Sequence, residues 1–535
     1  MVLSENKTSS KVLIIGAGFS GLATACQLRR EHNCDDYVIY DRSPAPGGTW
    51  WANKYPGCAV DIPAVFYSLS FAPNPDFSKV YPPQAEILEY FNKVADKFDV
   101  SRHIVRSTEW EGAYWQDFTN SWLVKLKDLS TGQTFYQECK ILISAVGALV
   151  NPNRFGIPGV ETFEGDIVHT AAWKADLSLH QKDVIVVGNG CELHFLSLSP
   201  KGMSPTVDQV RLLSLFPLLL KKLEASPNLF GYHFSLVQTP QFYLQNENMQ
   251  IDDRWKFIFR YVPGVLRLLR LIVFLFLEST AVRFNINYKG NKARNLSAER
   301  SKAYIQSTAP DDPIVKISSH SIFTKSGQEY PADAILLATG FALTQYEVEL
   351  VGRNGRTRDE HWGNFGYKEA YKSVAMSGFP NFFYVLGPNS GKGHTSAIYC
   401  IENIPANSDT SYVNLVMKAI APVLQDRASF VEVKPDSEKE YNENLHEKIA
   451  TTIFNSSCSS YFIDYKSQKN WFIYPWNSFV MWYSTHWGRS DDWTYDARPD
   501  KNHRVFSFGH LLLLLALSII PISFKLSMTV SEKLY

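Results

Sequence analysis

The sequence predicts an α/β fold made of two similar strand–turn–helix units, and three observations predict it. Lys11–Ile15 is a short β-branched apolar run that passes into GAGFSG and then into LATACQLRR, whose apolar spacing is helical. Asp183–Gly190, DVIVVGNG, repeats the step from a β run into a Gly-x-Gly turn. Two further β runs, KILISAVGAL (Lys140–Leu149) and AILLATGF (Ala334–Phe341), each end in glycine and read as strands returning to the first sheet around an inserted second unit.

In the first unit, Gly16, Gly18 and Gly21 fill a GxGxxG frame. The first glycine permits the tight turn, the second lets a pyrophosphate approach the backbone, and the third lets helix and strand pack closely. The next strand, DYVIYD, ends on Asp41, at the spacing of a carboxylate that binds ribose hydroxyls. Two such units imply two dinucleotides, and hydride transfer between a nicotinamide and a flavin is the common reason to bind both.

With 535 residues and 45% hydrophobic content, the chain can bury two or three domain cores. Its 53 basic residues cancel its 53 acidic ones, so charge argues against nucleic acid as a partner. The seven cysteines form neither a disulfide framework nor a metal-ligand spacing, so a reducing compartment and no metal are expected. The N-terminus MVLSENKTSS lacks the features of a signal peptide.

Val505–Phe524, by contrast, is twenty residues without Lys, Arg, Asp or Glu, preceded by Arg498, Lys501 and Arg504. At about 1.5 Å per residue it covers roughly 30 Å, the hydrocarbon thickness of a bilayer. A single-pass C-terminal transmembrane anchor, with the catalytic domains cytosolic, is therefore expected at 505–524. A buried C-terminal helix is the alternative, for which His510 and Pro521 argue. Arg211–Leu220 and Val265–Leu277 are too short or too interrupted to span, and read as helices in a core, in a groove or on a membrane surface.

Between the first unit and the second lies GGTWWANKYPGCAVDIP, Gly47–Pro63, where adjacent glycines and paired tryptophans suit backbone approach to a flat ring with aromatic cover. A core turn with two buried indoles would explain the tryptophans but not the acid, Asp61, that follows YPG. With GAGFSG, VVGNG, the ATG at Ala338–Gly340, FYVLGPNSGKGHTS and the motif FxGxxxHxxxW, here Phe163, Gly165, His169 and Trp173, this stretch resembles the class B flavoprotein monooxygenases, and among them the Baeyer–Villiger monooxygenases. The resemblance covers most of positions 11 to 490.

The resemblance implies an FAD-dependent monooxygenase: FAD is reduced by NADPH and reacts with O2 to a flavin peroxide that inserts oxygen beside a carbonyl. Residues 1–155 and 331–500 would form the FAD-binding domain, with an aromatic-rich substrate wall in the second part. Residues 156–330 would form the inserted NAD(P)-binding domain. Thr49, Trp50, Asp61, Ile62 and Tyr67 would line the flavin, with Asp61 as the active-site acid. Ala59, Val60, Gly188, Asn189 and Gly190 would serve NADP. His169 would lie on the linker between the domains and influence their movement; a structural histidine packed under Trp173 is the alternative. The substrate would be an apolar ketone or a polyketide or terpenoid intermediate.

The chain departs from this pattern in three places. Cys191, Glu192 and Leu193 follow GNG where small residues are usual, which sets an anion beside a phosphate site. Gln238 stands before Thr239-Pro240 where the family has an arginine suited to the 2′-phosphate of NADPH. Ser307–Gly340 passes straight from a TAP phrase to ATG, without the segment whose Lys-Arg pair stabilises the anionic peroxide, and no arginine lies between Arg300 and Arg353. Losing a contact of that kind costs about 3 kcal/mol in comparable sites. Oxygen transfer to nitrogen or sulfur, or epoxidation, uses the hydroperoxide and suffers less. A catalytically impaired flavin-binding membrane protein is the third reading.

Overall fold

The computed structural model describes residues 8–187, 248–292, 314–342, 346–401, 412–455, 462–464, 467–486 and 490–496, with residue 295 and the backbone at 210 and 211. All lie in the compact unit that ends at Asp496; the second unit, Ala497–Tyr535, lies outside the described residues.

Strand β1 (Thr8–Ile15) is buried from Val12 onward and leads into helix α1 (Phe19–His32), then β2 (Tyr37–Tyr40). After the single turn α2 (Thr49–Ala52) and helix α3 (Gln84–Lys97) come β3 (Ile104–Val105) and a meander of β4 (Thr108–Gln116), β5 (Ser121–Asp128) and β6 (Thr134–Ser144). Strands β6, β1, β2 and β3 pair in parallel, so the first sheet has a doubly wound core, extended antiparallel through β5 and β4.

The chain then crosses to a second, four-stranded sheet. Strands β7 (Asp166–His169), β8 (Val184–Val187) and β9 (Val210–Arg211) belong to it, and the helices α4 (Asp253–Tyr261) and α5 (Val265–Thr280) follow. A small antiparallel meander, β10 (Ile314–Ile317), β11 (Ser321–Thr324) and β12 (Glu329–Pro331), precedes β13 (Ala334–Leu337). The order is β7-β13-β8-β9, all parallel. Strand β13 is therefore central in the second sheet, between β7 and β8. It does not return to the first, as its sequence pattern suggests.

The strands that do return are β14 (Glu349–Val351), parallel to β4, and β15 (Phe382–Tyr384), parallel to β6, with helix α6 (Arg358–Phe365) between them. Residues 166–337 are thus inserted between strands of one sheet. The two crossings run side by side: Asn153 N donates to the Gly340 carbonyl at 3.1 Å, and Ala342 N donates to Asn151 at 2.8 Å. Helices α7 (Ala397–Ile401), α8 (Tyr412–Leu424), α9 (Pro435–Ala450) and α10 (Ser478–His486), with the paired strands β16 (Val431–Val433) and β17 (Trp493–Tyr495), complete the unit. The first sheet's core is aromatic: Trp110, Trp115, Trp122, Trp362, Phe382 and Trp471 are all buried in it.

The expected membrane anchor at 505–524 lies outside the described residues. The expected membrane localisation and membrane partner are corrected, because no helix among the described residues is long and apolar enough to cross a membrane. The longest, α5 and α9, have 16 residues, about 24 Å of helix against roughly 30 Å of hydrocarbon. Helix α5, which holds the apolar run Val265–Leu277, buries one face and turns Leu268, Ile272 and Leu275 outward.

Candidate active site

Helix α1 begins at Gly18 with no side-chain cap, so the N–H groups of its first turn stay open to an anion. Gly16 has φ +107°, and a Cβ there would collide with the Ala145 carbonyl; a Cβ at Gly21 would collide with the Gly16 carbonyl. The first contact brings the turn after β1 against the end of β6, and the second brings α1 against that turn, both too close for any side chain. Asp41 is buried at the end of β2. Its Oδ2 accepts from Ala17 N at 2.6 Å and its Oδ1 from Ser43 N at 2.8 Å, so the carboxylate expected at a ribose also holds the glycine turn in shape.

The Gly47–Tyr67 segment packs beside that turn. Gly47 N donates to the Ala17 carbonyl at 2.8 Å, and the Gly48 backbone comes against Gly18. Thr49 opens α2, Trp50 is buried in it, and Trp50 Nε1 donates to the Tyr67 hydroxyl at 3.0 Å with the rings edge to face. Ala59 bridges Pro83, while Val60 N and Ala64 N donate to Pro82 and Val80, so the segment carrying Asp61 is stitched to the stretch before α3. Val60 and Ile62 are buried, and Asp61 is half-buried. Desolvation pushes the Asp61 carboxyl up, and burial also raises the Tyr67 phenol, with the Asp61 charge adding to it.

Helix α5 backs this segment. Val273, Phe274 and Leu277 pack with Ile62, Phe66 and Tyr399, and the rings of Phe66, Phe274 and Tyr399 stack at centroid distances of 5.2 to 6.3 Å. Arg270, buried on the same face, donates to the Val65 carbonyl (2.9 Å), the Ser68 hydroxyl (2.6 Å) and the Ser68 carbonyl (2.9 Å). One turn beyond Phe274, Glu278 meets the loop after β15. His394 Nε2 lies 3.2 Å and Lys392 Nζ 3.9 Å from its carboxylate, and Ser478 donates to it from N (2.7 Å) and Oγ (2.6 Å). Burial opposes charge on Glu278, but the His394 bond, the Lys392 charge and Ser478 outweigh it and hold the carboxyl at about 2.

His169 closes β7, buried, with Nδ1 accepting from Ala171 N at 3.0 Å and its ring edge-on to Phe341 of the returning crossing, 6.2 Å away. The motif thus sits on the edge strand of the second sheet and touches one crossing. Burial lowers the His169 pKa against the opposing Gly340 backbone. Gly165 has a backbone reason for its identity, since a Cβ there would overlap the Asp333 carbonyl. Gly188, Asn189 and Gly190, expected at the nicotinamide cofactor, lie outside the described residues; β8 ends just before them.

Asn53 Oδ1, Ser144 Oγ, Thr339 Oγ1 and Thr395 Oγ1 are buried without a hydrogen-bond partner among the described residues. Orphaned polar atoms cost about 1–3 kcal/mol each, so at these four, in the Gly47–Tyr67 segment, at the end of β6, in the ATG stretch and in the GKGHTS loop, a polar ligand would be favourable. A second buried cluster lies in the C-terminal half: His361 Nε2 is 2.8 Å from Glu369 and 3.2 Å from Glu438, all three fully buried. Their ligand atoms lie within 4.8 Å of one another, but Ser377 N and the Asn442 side chain also serve the carboxylates, so the group is closed by hydrogen bonds. Sequence reasoning missed Arg270, Glu278, Lys392, His394 and this cluster.

The comparisons agree with the resemblance read from the motifs. The family described as NAD(P)-binding Rossmann-like domain matches residues 14–81. A Baeyer–Villiger monooxygenase of Pseudomonas aeruginosa is 28% identical over 479 residues, 87% of each chain. A phenazine N-monooxygenase of Lysobacter antibioticus is 25% identical over 510 residues, 85% of this chain and 90% of its own. The structure of cyclohexanone monooxygenase from Rhodococcus sp. Phi1 bound to NADP+ superposes with a TM-score of 0.65 at 22% identity, over 92% of this chain and all of that one; it speaks for the fold. The chain is, in sequence and architecture, a flavoprotein monooxygenase-like protein. The relatives named Baeyer–Villiger monooxygenase and FAD-binding monooxygenase are oxidoreductases, and so is this chain.

Proposed function

We propose that the protein is an FAD-dependent, NADPH-using monooxygenase that places one oxygen atom of O2 into an apolar organic substrate. The observation that carries this reading is the similarity to a Baeyer–Villiger monooxygenase along 87% of both chains. When bound, FAD supplies hydride acceptance from NADPH and activation of O2. The chain's own residues supply the rest. The open first turn of α1 binds the pyrophosphate, Asp41 fixes the glycine turn, and Trp50 and Tyr67 pack the wall. Asp61, its carboxyl pushed up by desolvation, would be the active-site acid beside the flavin.

In this reading residues 1–155 and the stretch after 337 bind FAD, the inserted unit, which runs through β13 to 337 and not to 330, binds NADPH, and His169 influences movement between them. The substrate is an apolar ketone, with polyketide and terpenoid intermediates the first to try. The missing Lys-Arg segment and the likeness to a phenazine N-monooxygenase favour a second reading, oxygen transfer to nitrogen or sulfur. Incubation of the purified protein with NADPH, O2, a cyclic ketone and an aryl sulfide separates the two. A lactone supports the first, sulfoxide without lactone supports the second, and protein without bound FAD overturns both.

A further inference from the structure

The loop Asn389–Ser396 is fixed on both flanks. On one side it is stitched to residues 470–474: Asn389 N donates to Trp471 at 2.7 Å, Gly391 N to Phe472 at 2.8 Å, and Tyr474 N to Gly391 at 2.7 Å. On the other side its only ties to α5 among the described contacts of Glu278 are Lys392 and His394. Lys392 tucks its side chain inside, 1% exposed, and its Nζ donates to the Ser478 hydroxyl at 2.7 Å. The hydroxyl in turn donates to Glu278, so Ser478 bridges the two charges. Tyr474 lies beneath the ammonium, and Phe284 packs against His394.

A buried ion pair of this kind is weak evidence for stability, because desolvation consumes most of the Coulombic gain, and its retention asks for another role. Its position supplies one. Helix α5 grips the Val65–Ser68 turn through Arg270 and stacks on Phe66 and Ile62 through Phe274 and Leu277, and eight residues after Arg270 the same helix presents Glu278. We propose that Glu278, Lys392, Ser478 and His394 form a positioning unit that locks the Asn389–Ser396 loop to α5, sets the place of the Asp61–Tyr67 segment, and fixes the charge felt by that wall. This rests on the reading that Asp61–Tyr67 lines the flavin.

Charge and position can be told apart. Glu278 faces Lys392, His394 and Ser478, with Cys400 and Tyr474 behind them. The Lys392→Met variant removes a cation, so the potential of bound FAD should move negative, and Glu278→Gln removes an anion, so it should move positive. Each shift is expected at about 30 mV, a tenfold change for a two-electron couple. Lys392→Arg should restore the wild-type potential. Should the charge variants fail to fold, Ser478→Ala keeps both charges, and it should weaken FAD retention about tenfold with the potential unchanged. Wild-type protein that binds no FAD would sink the underlying reading. FAD-bound variants with wild-type potential and retention, or charge variants whose potentials shift in the same direction, would overturn this inference.

Discussion

Among the described residues lie two buried clusters of glutamate and histidine, and their protonation runs in opposite directions. In the first, one carboxylate, Glu278, serves Lys392 and His394. Burial and the Lys392 charge lower the His394 pKa, and Glu278 stays ionised down to about 2. In the second, two carboxylates, Glu369 and Glu438, share one imidazole. Burial opposes its charge, but both carboxylates outweigh that and push His361 up to about 9, while burial and the Glu438 charge raise Glu369. Burial is common to both clusters, so the balance of charges decides which group keeps its proton. The first cluster borders the helix that backs the candidate flavin wall; the second ties α6 to α9.

The largest way to break the comparison is to remove a partner. Glu438→Ala leaves His361 with one carboxylate and strips the acceptor from Ser377 N, and urea unfolding should show a loss of about 3 kcal/mol. The bound-FAD spectrum of the protein that remains folded should not change. An altered spectrum would mean that the two clusters are not independent.

The next sharpens it with pH. A raised folded pKa contributes stability that is complete below the ordinary value and is lost as pH rises through the folded one. For His361 that window runs from 6.5 to about 9. A lowered pKa works the other way, so the Glu278 contribution is complete above 4.5 and is lost as pH falls toward about 2. Melting temperatures of wild type and His361→Gln should therefore converge on the alkaline side, and those of wild type and Glu278→Gln on the acid side. The reverse pattern would contradict the assigned charge states.

A smaller effect belongs to the wall itself. Tyr67→Phe leaves Trp50 Nε1 without its acceptor and should cost about 1 kcal/mol, with FAD retained. Complete loss of FAD in this variant would mean that Tyr67 binds the cofactor directly.

Much of the first dinucleotide unit was legible because its signal is local. A β run, three glycines, a helix and Asp41 fall within a few tens of residues, and the clashes that a Cβ would cause at Gly16 and Gly21 explain why those positions are glycine. Strand β13 was misplaced because a fully buried parallel strand such as AILL carries no mark of which sheet it joins; pairing with β7 and β8 is a tertiary fact. The wall's support was half visible. Arg270 and Glu278 stand out as charges in an apolar helical run, at a spacing that puts both on the face of Val273, Phe274 and Leu277. The His361 cluster was not legible, since residues 361, 369 and 438 meet only through the packing of α6 and α9.

The measurement that bears most directly on the monooxygenase assignment is anaerobic reduction of the purified protein. It should carry stoichiometric FAD, which NADPH bleaches in the absence of O2 and air restores. Protein without flavin, or with flavin that NADPH leaves oxidised, would contradict it.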